Sequence, residues 1–184
     1  MDNIGDRMTD QILEDANRGE LWLYDSLDDD TGLYLIHSLR KKANDANCSC
    51  INININSPGG KCKYLFPIID LMETISPSVI CTVDHMAVSS AAVILACGDR
   101  RLALKNAVIM VHGVAYGNDA LQKIPSHEGY LEVVKKMEKR MCVILAQKTH
   151  KPQSYWEKIV KSSEDKWFDA EEALEVGLID EIIS

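Results

Sequence analysis

Apolar and polar positions along this chain repeat with two different periods, and the switches between them mark out its elements. Residues 51–56, INININ, alternate strictly, so Ile51, Ile53 and Ile55 share one face of a strand and Asn52, Asn54 and Asn56 the other. ELWLYDSL (20–27), SVICTV (78–83) and AVIMVHG (107–113) also read as strands. Between them the spacing lengthens to that of a helix. DDDTGLYLIHSLRKKAND (28–45) sets Leu33, Ile36 and Leu39 at helical intervals behind a row of aspartates able to cap. Residues 64–75 predict a second helix that Pro77 ends, and 89–97 an apolar third. Further helical patterns cover about 127–149 and 153–162, and AEEALEVG (170–177) predicts a last helix with a glycine stop before a strand in LIDEII. A short helix over 9–18, with Thr9 as cap and Gly19 as stop, precedes them all. Alternation of this kind predicts an α/β domain with a mainly parallel sheet.

Composition narrows the picture. With 184 residues, 46% of them hydrophobic, the chain has enough apolar material for one core. The expected organisation is an N-terminal segment over 1–19 and one unit over 20–184. A formal charge of −8 argues against nucleic acid as a partner, because phosphate contacts need a basic field. The basic run KKMEKR (135–140) sits in a helical pattern and reads as a solvated face. Nothing resembles a signal peptide, a transit segment or a bilayer span, so no membrane partner and a cytoplasmic location are expected. Cys48 and Cys50 form a C-x-C, and Cys62, Cys81, Cys97 and Cys142 are scattered without the C-x2-C spacing of a zinc site. Reduced thiols and no metal are the expectation.

The chemistry concentrates in DHMAVSSAAVILACGD (84–99). A serine between a strand and a buried helix places its hydroxyl at the helix N-terminus, where free N–H groups favour developing negative charge. If Ser89 is the nucleophile, the N–H of Ser90 is the natural first oxyanion donor. Gly59 and Gly60 in SPGG can turn backbone N–H groups into a cleft as a second arm. His112 ends the next predicted strand, where its imidazole can reach over the sheet edge as a base.

Taken together, INSPGG (55–60), VSSAAVILACG (88–98), ALKNAVIMVH (103–112) and WFDAEEALEVGLID (167–180) resemble ClpP-type serine peptidases, the caseinolytic family, from about residue 20 to the C-terminus. The resemblance implies a ClpP/crotonase-like fold, a spiral of β-β-α units with a protruding handle over about 113–149. It also implies a homo-oligomeric ring of seven subunits, often stacked as a tetradecamer. Such a ring encloses the serines in a chamber and is fed unfolded protein or peptide by an AAA+ unfoldase. ATP is used by that partner, and the subunit itself carries no cofactor. Matched by position, Ser89 is the nucleophile and His112 the base, with Gly59, Gly60 and the Ser90 N–H as oxyanion donors. An extended substrate would be held largely through its main chain.

The family's triad aspartate falls, by counting back from Trp167, on Lys161. An ammonium there would oppose the imidazolium that an acid stabilises. Two arrangements remain open: a shifted loop bringing Asp165 or Glu164 to His112, or a Ser–His dyad oriented by a carbonyl or water. Other departures are Lys61 after SPGG, Gly113–Val114 where Gln-Pro is usual, AYGNDALQKIP (115–125) in place of a glycine-rich handle strand, and Glu164 where an arginine often stands. They resemble phage or prophage relatives, which makes a capsid-processing protease one alternative function. A weak or inactive structural ring subunit is another. A crotonase-type acyl-CoA enzyme fits poorly, since no pair of glutamates is placed to act on a thioester.

Overall fold

The computed structural model describes residues 12, 14–114 and 127–184. Its sheet is organised around β2 (Cys50–Ser57), whose Ile51, Ile53 and Ile55 are fully buried while the intervening asparagines are half-exposed. Removing each isoleucine from water stabilises the fold by about 1.5–3 kcal/mol. β1 (Glu20–Tyr24) and β3 (Ser78–Val88) flank β2 in parallel, and the outward asparagines are satisfied by β1: Asn52 and Asn54 both donate to Glu20. β4 (Arg100–Leu104) pairs in parallel with the first half of β3, and β7 (Glu181–Ile183) with β4. The second half of β3 changes partner to β5 (Val108–Val111), against which β6 (Lys166–Asp169) lies antiparallel. This is a mixed α/β architecture with a mostly parallel sheet, in keeping with the expected fold class.

Helices α1 (Asp29–Ala43), α2 (Cys62–Thr74) and α3 (Ser90–Ala96) follow β1, β2 and β3 in turn. α1 starts with Asp28 as N-cap, accepting from the N–H groups of Asp30 and Thr31, while Thr31 accepts from the Asp28 N–H in return. Its buried face keeps Leu39 and the half-buried Ile36 of the expected stripe but not Leu33. Gly32, Leu35, Ser38, Leu39 and Lys42 face inward, and Leu33 is 58% exposed. Contact with α2 sets this rotation: Gly32 lies against the Tyr64 ring, and a Cβ there would be 2.3 Å from Tyr64 Cγ. Every residue of α3 is buried, Ser90 included, in keeping with a helix that is apolar all round from Ala91 to Ala96.

α4 (His127–Lys148) brings Met141, Cys142 and Leu145 into the core, and α5 (Gln153–Val160) adds Trp156, fully buried. The Trp156 indole N–H donates to Thr149 Oγ1 at 3.0 Å, so this large ring is buried without an orphan donor. α6 (Ala170–Val176) has a capping box between Asp169 and Glu172 and ends at Gly177, which adopts a left-handed φ of 81°. β1 stops at Tyr24, short of the expected 27, because Asp25 turns the chain with a φ of 85° and Leu27 bridges to Gly60. β3 runs five residues beyond the expected end at 83, since Met86, Ala87 and Val88 pair with β5. Residues 14–18 are helical before Gly19, but Thr9 lies outside the described residues, as does AYGNDALQKIP of the expected handle. All six cysteines are free thiols, and burial pushes Cys97 up to about 12, Cys142 up to about 11 and Cys81 upward as well, which keeps these three unreactive. Among the described residues no helix is long and apolar enough to cross a membrane.

Candidate active site

Ser89 occupies the single residue between the end of β3 and the start of α3. Its backbone sits at φ 59° and ψ −122°; among the described non-glycine residues only Asp25 shares a positive φ. Such a conformation costs about 1–3 kcal/mol and persists only where neighbours enforce it. Two neighbours do so here. The Ser89 N–H donates to the Met110 carbonyl at 2.9 Å, tying the turn to β5, and Gly59 packs directly against it. The result is a sharp strand-to-helix turn that presents Oγ at the sheet edge.

His112 follows the last residue of β5 and meets that hydroxyl: Nε2 lies 2.8 Å from Ser89 Oγ. On its other side, Nδ1 lies 3.4 Å from Asp165 Oδ1. The register of β5 and β6 accounts for this third residue. Met110 pairs with Trp167 and Val111 with Lys166, so one more antiparallel step sets Asp165 opposite His112. The contact is longer than a well-made N–H···O bond, and Asp165 is half-exposed. Lys161, the position reached by counting along the family pattern, is elsewhere. It is the C-cap of α5, and its ammonium pairs with Glu157 one helical turn back, at 3.2 Å. Glu164 has its N–H on Ser162 Oγ, and among the described residues no ion pair joins its carboxylate to His112. Of the alternatives left open by the sequence, Asp165 is therefore the one adjacent to the imidazole.

The glycine turn differs from the expectation in one respect. Gly59 and Gly60 do reach Ser89 and Ser90, but neither N–H is free: Gly59 donates to Ser57 Oγ at 3.0 Å and Gly60 to Ser90 Oγ at 2.7 Å. Both donors have been captured by buried serine hydroxyls. The Ser90 N–H, by contrast, has no recorded acceptor among the described residues. Gly59 is irreplaceable on steric grounds. At its φ of 80° a Cβ would stand 2.3 Å from the Val88 carbonyl oxygen and 2.9 Å from Ser89 Cβ. Gly59→Ala is expected to cost at least about 2 kcal/mol from the strained φ and the clash, and to displace Ser89. Denaturant unfolding checks the first effect and peptide hydrolysis the second.

A family model described as Clp protease matches residues 5–184. The chain belongs to the Clp protease family. Membership carries a serine peptidase as the general activity of the family, and the family is generally an oligomeric ring working with AAA+ unfoldases.

In this Clp protease a cleft of about 750 Å³ opens in front of Ser89. Its inner wall is apolar, with Leu65, Val134, Met137 and Met141. Its rim carries Lys61 and Lys63, both paired with Asp29, at 2.9 and 2.6 Å. Lys63, then Lys61 and the Tyr64 hydroxyl hold the Asp29 carboxyl well below the usual carboxylate range, and Asp29 in turn raises Lys63. Lys61 is thus more than a solvated stem, since it belongs to a charged cluster at the mouth of the cleft. The cleft-wall methionines, Lys63 and Asp29 were not among the residues singled out from the sequence. Only helical spacing on α4 hints at the methionines, and that spacing equally describes ordinary core; Asp29 and Lys63 come together from α1 and α2, which no spacing within either helix records. The substitution of Gly113–Val114 for Gln-Pro is accommodated locally. Val114 has an N–H that proline lacks, and it donates to Glu138 Oε1 at 3.1 Å. Gly113 fits beneath the Val160 carbonyl, where a Cβ would approach to 2.5 Å. Among the described residues no group of three or more His, Cys, Asp or Glu is placed to hold a metal ion.

Proposed function

We propose that this Clp protease is a serine endopeptidase with Ser89 as nucleophile, His112 as general base and Asp165 as the orienting acid. The observation that carries the reading is the 2.8 Å approach of His112 Nε2 to a Ser89 hydroxyl held on a strained turn. Ser89 Oγ attacks the scissile carbonyl carbon as its proton passes to Nε2, and the carbonyl π pair moves onto oxygen. The Ser90 N–H donates to that oxyanion. Collapse of the intermediate expels the amine, which takes the proton back from Nε2, and water then repeats the sequence on the acyl-enzyme. The apolar wall of the cleft suits an apolar side chain beside the cleaved bond. An extended peptide held through its main chain gives broad sequence tolerance elsewhere. Seven-membered rings, stacked or single, and an ATP-driven unfoldase partner complete the proposal on family grounds.

The test is labelling with a fluorophosphonate probe followed by intact mass, on wild type and Ser89→Ala in parallel. One adduct per chain on wild type and none on Ser89→Ala is the expected result. Failure to label wild type in an assembled ring would instead support a second reading, a structural ring subunit of little activity. The observation favouring that reading is the 3.4 Å separation of His112 from Asp165, which leaves the imidazole loosely oriented.

A further inference from the structure

Ser90 enters the proposed mechanism only through its backbone, yet its side chain has the more unusual surroundings. Ser90 is 2% exposed, lines the cleft, and its Oγ accepts the Gly60 N–H at 2.7 Å. A hydroxyl has one proton to give as well as lone pairs to receive. Among the described residues no acceptor is recorded for the Ser90 proton, and at the first position of α3 there is no preceding helical carbonyl to take it. A buried, unspent O–H beside the nucleophile is costly unless something occupies it. Gly60, meanwhile, has lost its N–H as a donor to that same oxygen.

We propose that the Ser90 hydroxyl is the second oxyanion donor, taking the place of the Gly60 N–H that it captures. The inference rests on Ser89 being the nucleophile. In the tetrahedral intermediate the new C–O bond to Ser89 has formed and the negative oxygen accepts two hydrogen bonds, from Ser90 N–H and from Ser90 Oγ–H. No proton is transferred in this contact. The bond from Gly60 polarises the hydroxyl, since a donor that itself accepts a hydrogen bond donates more strongly. Gly60 thus acts at one remove, and the hole is built from both donors of one residue. Serine hydroxyls serve as oxyanion donors elsewhere, so the chemistry asks nothing exceptional of the side chain.

The test is Ser90→Ala, which keeps the backbone N–H and deletes only the hydroxyl. The measurements are kcat and KM for a fluorogenic peptide and Ki for a peptide aldehyde, whose hemiacetal oxygen occupies the oxyanion position. The expected result is a fall in kcat on the order of 10²–10³-fold, a comparable weakening of the aldehyde, and little change in KM. A kcat at or above the wild-type value overturns the proposal, because it means the hydroxyl only blocks Gly60. Should Ser90→Ala unfold, Ser90→Cys is nearly isosteric with a poor donor; a kcat loss of about tenfold or more supports the proposal, and wild-type kcat overturns it. Wild type that neither labels nor turns over would sink the nucleophile assignment along with this one. A wild type that turns over, with an unaltered Ser90→Ala, sinks this one alone.

Discussion

Replacing His112 with alanine is expected to lower peptide hydrolysis by on the order of 10⁶-fold, the scale on which a Ser–His pair acting as a unit fails. The imidazole Nε2 at 2.8 Å is the only side-chain hydrogen-bond partner recorded for Ser89 Oγ among the described residues, so its loss leaves a neutral hydroxyl with no base. The folded state should tolerate the change, because the His112 side chain is about a quarter exposed and belongs to the rim of the cleft. A double variant with Ser89→Ala should be no slower than either single one, since both remove the same step. The check is kcat/KM on a fluorogenic peptide beside a thermal unfolding curve. A loss below about 100-fold with the protein folded would mean another group takes the proton, and the assignment of His112 would fall.

The second large effect is expected at Asp165. Asp165→Asn should reduce kcat by up to about 10⁴-fold, because an amide neither compensates the imidazolium nor enforces the tautomer with Nδ1–H. The exposure of the carboxylate and its 3.4 Å separation from Nδ1 place the effect below that ceiling. Lys161→Asp offers a sharp contrast. Its side chain points back to Glu157 on α5, so the new carboxylate should leave the rate unchanged. A rate gain in Lys161→Asp, or an unaltered rate in Asp165→Asn, would return the acid's place to position 161 or leave a dyad.

Much of the fold was legible because periodicity reports burial directly. INININ alternates since one face of β2 is core and the other meets Glu20, and the run from Ala91 to Ala96 is apolar on every side because the helix it belongs to is buried all round. Where the pattern failed, partners from distant sequence had overruled it. RRLAL and KWFD are short and lack the regular alternation that announces a strand; β4 and β6 are held by hydrogen bonds from β3 and β5. Asp84 and His85 interrupt the alternation of β3, yet the strand continues because β5 takes over as partner. The outward turn of Leu33 follows from the fit of Gly32 to Tyr64, which no helical spacing records.

The candidate site divides along the same line. The sequence by itself placed Ser89 between a strand and a helix, His112 at the end of the next strand and the glycine pair in a turn, because each placement depends on local chain geometry, while the roles proposed for them came from the family resemblance. Only the tertiary structure decided which carboxylate faces His112 and where the Gly60 N–H goes. The first depends on the antiparallel register of β5 with β6, which sets Asp165 rather than Lys161 across from the imidazole. The second depends on the packing of the β2–α2 turn against the start of α3, which delivers the Gly60 N–H to the Ser90 hydroxyl. Both are contacts between segments far apart in the chain, and no spacing within either segment encodes the distance between them.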